Sequence, residues 1–139
     1  MNLWAVQRVL GLLLTVFSFA MLPPVLISLI YRDGEVWPFL TAFVVTLGSG
    51  LLIFLPVIRS RQELRLRDGF LVVTLFWVVL GLAGALPFAL AQPRLSATNA
   101  VFESISGLTT TGATVILGLD DLPKSILFYR QQLQWLGGM

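Results

Sequence analysis

The chain has 139 residues, 57% of them hydrophobic and 12% charged, against about 45–50% and about 25% in ordinary globular domains. Its mean hydropathy of +0.90 is more than a soluble domain of this size can cover, so its solvent is lipid. Cysteine and histidine are both absent and the net charge is only +2; disulfides, thiolate and imidazole metal sites, the commonest general base and a nucleic-acid partner are all excluded as expectations.

Three stretches carry no charge: 23 residues between Arg8 and Arg32, 23 between Glu35 and Arg59, and 25 between Asp68 and Arg94. At 1.5 Å per helical residue each can cross a hydrocarbon core about 30 Å thick. Backbone groups in lipid must be bonded within the segment, so transmembrane helices are predicted at about 8–31, 36–58 and 69–91. Pro23-Pro24 is expected to kink the first span and Pro87 to bend the third, whereas Pro38 suits a first helical turn. A signal peptide in place of the first span would end sooner and be followed by a small-x-small site, which is missing.

The connection "RSRQELRLRD" (59–68) holds Arg59, Arg61, Arg65 and Arg67, whereas "RDGE" (32–35) holds one arginine. The positive-inside rule places the arginine loop and the N-terminus in the cytoplasm, and residues after the third span begin outside. The four arginines read first as this topology signal; contact with a cytosolic partner or with anionic lipid head groups is the alternative.

Between Glu103 and Asp120 only 16 residues are uncharged, and they include the threonine run "GLTTTGAT" (107–114). That is too short and too polar to cross. "SATNAVFESISG" (96–107) has helix-start chemistry, with Ser96 or Thr98 as N-cap, and predicts a half-length helix over 97–107. "LTTTGATV" (108–115) sets β-branched residues around a glycine, which favours extended backbone. "DDLPKSI" (120–126) opens a further helix over 122–139, with Asp120 or Asp121 as cap and Pro123 in its first turn.

A crossing, a half-helix, an extended polar strand and a second crossing make a re-entrant pore loop. Irregular backbone at membrane depth is tolerated only where protein buries it or where it lines a watery path. The half-helix aims its carbonyl end at the membrane middle, where its dipole favours a cation, and the strand offers carbonyls that can replace an ion's hydration shell. Gly112 would supply a backbone angle that other residues avoid, turning successive carbonyls toward one axis. The fold class expected is all-α integral membrane, with transmembrane helices, a re-entrant pore helix and an extended filter strand.

"FESISGLTTTGATV" (102–115) followed by "YRQQLQWLGGM" (129–139) resembles the first pore repeat of the TrkH/TrkG/KtrB family of potassium transporters. The resemblance implies two N-terminal helices in residues 1–60, then one pore repeat in residues 61–139. It implies potassium uptake across the bacterial inner membrane, with the potassium ion as cargo and no cofactor, enzymatic step or nucleic acid. A cytosolic nucleotide-binding regulatory subunit and a homodimer of the full-length form are implied with it. Four repeats surround one ion path in that family, whereas this chain carries one, incomplete; it is expected to be the N-terminal part of a longer transporter, the alternative being a small protein that assembles as a homotetramer.

On the family pattern, Thr110, Thr111, Gly112 and Ala113 are the carbonyl ligands, with Thr109 and Thr114 bounding them. Asp120 and Asp121 serve as caps, as an acidic collar at the outer mouth, or as both. Glu103 either bonds backbone behind the filter or acts as a charge. Arg130 either anchors at the interface or pairs with Glu103 or Asp120. Trp4, Trp37, Trp77 and Trp135 suit an aromatic belt, and Gly48, Gly50, Gly81 and Gly84 suit close helix packing. The competing reading of the whole is a multi-pass membrane scaffold or assembly protein without transport.

Overall fold

A computed structural model describes residues 2–91 and 94–139, and all regular structure among them is helical. Helix α1 (Leu3–Ser18) passes through a 3-10 turn at Phe19–Met21 into α2 (Leu22–Tyr31). The break comes just ahead of Pro23 and Pro24, which occupy the first turn of α2 and have no N–H to donate back across the junction. Helix α1 starts before Arg8 because that charge does not have to leave the helix. Its Nη1 donates to the Ser60 carbonyl at 2.7 Å, at the end of the bundle.

Helix α3 (Val36–Phe54) has Pro38 in its first turn and closes with a 3-10 turn at Leu55–Val57. Helix α4 (Leu66–Leu90) starts ahead of Asp68, three residues earlier than the charge-free stretch that begins at residue 69. Asp68 is a cap inside the first turn. Its Oδ2 accepts from the Arg65 N–H and its Oδ1 from the Asn2 N–H, both at 3.1 Å, satisfying donors that a helix start leaves open. Pro87 stays within α4, which runs on to Leu90. The paths Leu3–Tyr31, Val36–Val57 and Leu66–Leu90 are each long and apolar enough to cross a membrane.

Helix α5 (Ala97–Leu108) and helix α6 (Lys124–Gly138) complete the chain. Helix α1 packs on α3 and α4, α5 lies between α4 and α6, and α6 also leans on α2. Small residues set these distances. A Cβ on Gly50 would come within 2.8 Å of the Thr15 backbone, and one on Gly81 within 2.8 Å of Ile105 Cγ1. One on Gly84 would collide with Ser104 Oγ. Gly48 faces open space, which corrects the expectation that it is a packing point. Trp4 and Trp37 lie in first turns, exposed, as a belt requires. Trp77 does not: it sits midway along α4 and lines an apolar cavity of about 410 Å³ with Leu13, Phe17, Leu108 and Leu136.

The centre of the bundle is Tyr129, which has no exposed surface. Its ring packs at 5.4 Å from Phe39 and 5.3 Å from Phe88, and its hydroxyl donates to the Gly84 carbonyl at 2.7 Å. The start of α6 is thereby held against α3 and α4, and with it the segment between α5 and α6.

Candidate ion-filter segment

Helix α5 starts where Ser96, rather than Thr98, accepts a bond from the Asn99 N–H at 3.3 Å. It ends in a tight curl. The Thr109 N–H reaches Ile105 O at 2.8 Å, the Thr110 N–H reaches Gly107 O at 3.0 Å, and the N–H groups of Thr111 and Gly112 both reach Ser106 O, at 3.0 and 3.3 Å. The backbone turns left-handed twice in this curl, at Thr110 (φ 57°) and at Gly112 (φ 75°). Gly112 has the angle foreseen for it. Thr110 does not belong to the residues that take this angle easily, since a β-branched side chain crowds it. No sequence rule marks it.

The N–H groups of the curl are thus spent on carbonyls at the end of α5. Thr109 through Val115 are all exposed. The threonine hydroxyls are used locally. Thr109 Oγ1 donates to Ile105 O at 2.7 Å and lies 2.8 Å from Thr111 Oγ1, and Thr110 Oγ1 donates to Thr109 O at 2.7 Å. The four carbonyls singled out from the sequence therefore fall into two pairs. Ala113 O accepts from Ser106 Oγ at 2.6 Å, and Gly112 O accepts from Arg130 Nη2 at 3.2 Å. Among the described residues nothing donates to Thr110 O or Thr111 O.

Behind the curl lies a buried charge pair. Glu103, 1% exposed, and Arg130, 7% exposed, meet at 3.4 Å between Oε2 and Nε. This settles the choice left open for Arg130. The other oxygen of Glu103 accepts from the Val115 N–H at 2.7 Å and from Thr114 Oγ1 at 2.5 Å. Burying a charge is expensive unless it is paired and hydrogen-bonded; both conditions are met, and the pair ties α5, α6 and the irregular backbone at 114–115, where an extended strand was expected, into one unit.

Helix α6 also touches the curl directly. A Cβ on Gly137 would overlap the Leu108 carbonyl, and one on Gly138 would lie 3.3 Å from Thr110 Cγ2. Gly137 lets two backbones meet, and Gly138 leaves room for the Thr110 methyl group.

Asp120 and Asp121 are exposed in a 3-10 turn at Leu119–Asp121. Neither caps α6, contrary to expectation: Pro123 takes the N-cap position, and no side chain near it bonds the helix start. The pair stands too early in the chain, where the Asp121 N–H already closes the 3-10 turn onto Gly118 O at 3.0 Å. The cap comes from elsewhere. Asp33 Oδ2 accepts from the Ser125 N–H at 3.0 Å and from Ser125 Oγ at 2.7 Å. Its Oδ1 accepts from the Glu35 N–H at 3.0 Å and from the Ser28 hydroxyl. Partial burial raises the pKa of this carboxyl, but the bonds from Ser28, Ser125 and Glu35 outweigh it and hold it below the usual carboxylate value of 3.8. Among the described residues no three of His, Cys, Asp and Glu cluster as metal ligands.

The model of the TrkH family, described as a cation transport protein, matches residues 39–139. The Trk system potassium uptake protein TrkH of Halomonas elongata is 59% identical over the whole chain, and that of Escherichia coli K12 is 53% identical. In both cases the chain spans 29% of the relative's length. The crystal structure of the potassium transporter TrkH from Vibrio parahaemolyticus superposes with a TM-score of 0.95 at 57% identity, over 99% of this chain and 30% of that one.

Proposed function

The chain belongs to the TrkH family of cation transport proteins, and from that premise we propose that Thr109–Thr114 forms one wall of a potassium filter in a potassium uptake system of the bacterial inner membrane. The observation that carries this is the pair of carbonyls on Thr110 and Thr111, exposed and without a donor among the described residues, beside two that are already bonded. In this reading Thr110 and Thr111 shed the ion's water directly. Gly112 and Ala113 use one lone pair each to hold the wall in shape and have a second to offer. Thr109 and Thr114 bound the segment, and Asp120 and Asp121 concentrate cations at the outer mouth.

Transport needs no covalent step. Ions move down their electrochemical gradient, and discrimination comes from the number and spacing of carbonyl dipoles. A ring requires walls besides this one, and the relatives' remaining length is where they belong. The arginine loop and the N-terminus lie in the cytoplasm, a cytosolic nucleotide-binding subunit regulates flow, and the full assembly is a homodimer.

The test is a chimera in which residues 1–139 replace the matching part of the Vibrio parahaemolyticus protein, expressed in bacteria lacking potassium uptake. Growth on low-potassium medium is expected, and Gly112→Ser in the chimera should admit sodium alongside potassium. Failure of the chimera to restore growth where the parent does, or unchanged selectivity on Gly112→Ser, would sink the reading and favour a scaffold.

A further inference from the structure

At the end of the bundle opposite the α2–α3 turn, the loop between α3 and α4 and the first residues of α4 carry Arg61, Leu64, Arg65, Leu66 and Arg67. The N-terminal turn of α1 straps it down. Arg8 bonds Ser60 O at 2.7 Å, the Asn2 side chain bonds Glu63 O at 3.4 Å, and the Asn2 N–H bonds Asp68. Arg8, Arg59, Arg61, Arg65 and Arg67 are all exposed, and none is in an ion pair among the described residues. Five guanidinium groups face two carboxylates, Glu63 and Asp68, and Asp68 is buried in its capping bonds.

Two further observations say what this charge is for. Asn2, Trp4, Gln62 and Arg65 line an open polar recess of about 310 Å³, bringing a guanidinium, two amides and an indole together. Around it the apolar side chains are uncovered: Leu66 is 89% exposed, Phe70 78% and Trp4 56%. Guanidinium and amide donors suit phosphate oxygens, while exposed leucine, phenylalanine and tryptophan at the same level suit acyl chains and the interfacial belt. A soluble acidic protein would match the first set and leave the second in water.

We propose that this recess binds the phosphate of an anionic phospholipid head group, with Arg65 as the direct ligand, Arg61 and Arg67 drawing the lipid in, and Leu64 and Leu66 against its tails. The site is remote from the filter, so lipid binding and ion conduction stand or fall separately.

The test is native mass spectrometry of the full chain released from nanodiscs of phosphatidylglycerol and phosphatidylcholine in equal parts. The wild type should retain phosphatidylglycerol preferentially. Arg61→Gln with Arg65→Gln should cut that preference by roughly twenty-five-fold, at about five-fold per arginine, while Arg61→Lys with Arg65→Lys should keep most of it. Equal retention of both lipids by the wild type overturns the proposal and leaves the loop to a soluble partner. An undiminished preference in the glutamine pair, or a lysine pair that falls as far, overturns it too. Inorganic phosphate added in excess should leave the lipid in place; displacement would assign the recess to the free anion.

Discussion

Glu103 is the residue on which the wall hangs, because one carboxylate bonds the strand with one oxygen and Arg130 with the other. Truncating one partner of a buried pair leaves the other charge unpaired, at a cost of about 3–5 kcal/mol. Arg130→Met should therefore lower the melting temperature sharply. Glu103→Gln with Arg130→Met should cost less than Arg130→Met alone, because glutamine still accepts from Val115 and Thr114 without a buried charge. Thermal denaturation of the three variants in detergent checks this, and a double variant no better than the single would show that the charges do not act as a pair. Gly137→Ala forces a Cβ into the Leu108 carbonyl, an overpacking that should cost about 1–3 kcal/mol in the same assay. Gly112 was legible because a glycine among threonines in a polar strand has few other uses. The left-handed angle at Thr110 was not, since it arises from the curl of the helix end and runs against the residue's own preference.

At the scale of elements, α6 takes its cap from a residue 92 positions away. The helix start read from "DDLPKSI" was right in kind, but local rules assign a cap to the nearest carboxylate, and here the nearest two are spent in a turn. The pairing of Asp33 with Ser125 exists only once α2, α3 and α6 meet. Its folded pKa lies below 3.8, so the ionised form is the stabilising one. That contribution is fully present above the unfolded pKa and is lost as pH falls through the folded value. Wild-type stability in detergent should therefore decline below about pH 4. Asp33→Asn should be less stable at neutral pH and show a shallower acid decline. Equal slopes for the two proteins would remove Asp33 from the account. The long spans were legible because charge-free length is a direct physical requirement of lipid. Their ends were not, since Arg8 and Asp68 are charges kept inside helices by bonds to distant backbone.

At the scale of the molecule, the proposed orientation, with the arginine loop in the cytoplasm, rests on the distribution of arginine. The absence of cysteine makes that easy to test. With Gln62→Cys, an impermeant maleimide should fail to label intact cells; with Gly34→Cys, it should label them. The opposite pattern would invert the topology. The exposed apolar surface of the three long paths was implicit in composition alone. The tight contacts among α4, α5 and α6 were not, because they depend on which glycine meets which backbone.

The meeting of Gly137 with Leu108 sets how close two helices come. Two backbones in contact leave no side chain between them to take up slack, so α5 and α6 are spaced by main chain alone at that point. Any side chain larger than glycine at that point would act as a wedge between the two helix ends, and Thr110, whose Cγ2 borders Gly138, stands beside it. The carbonyl wall thus depends on a spacing set by an atom that is not there.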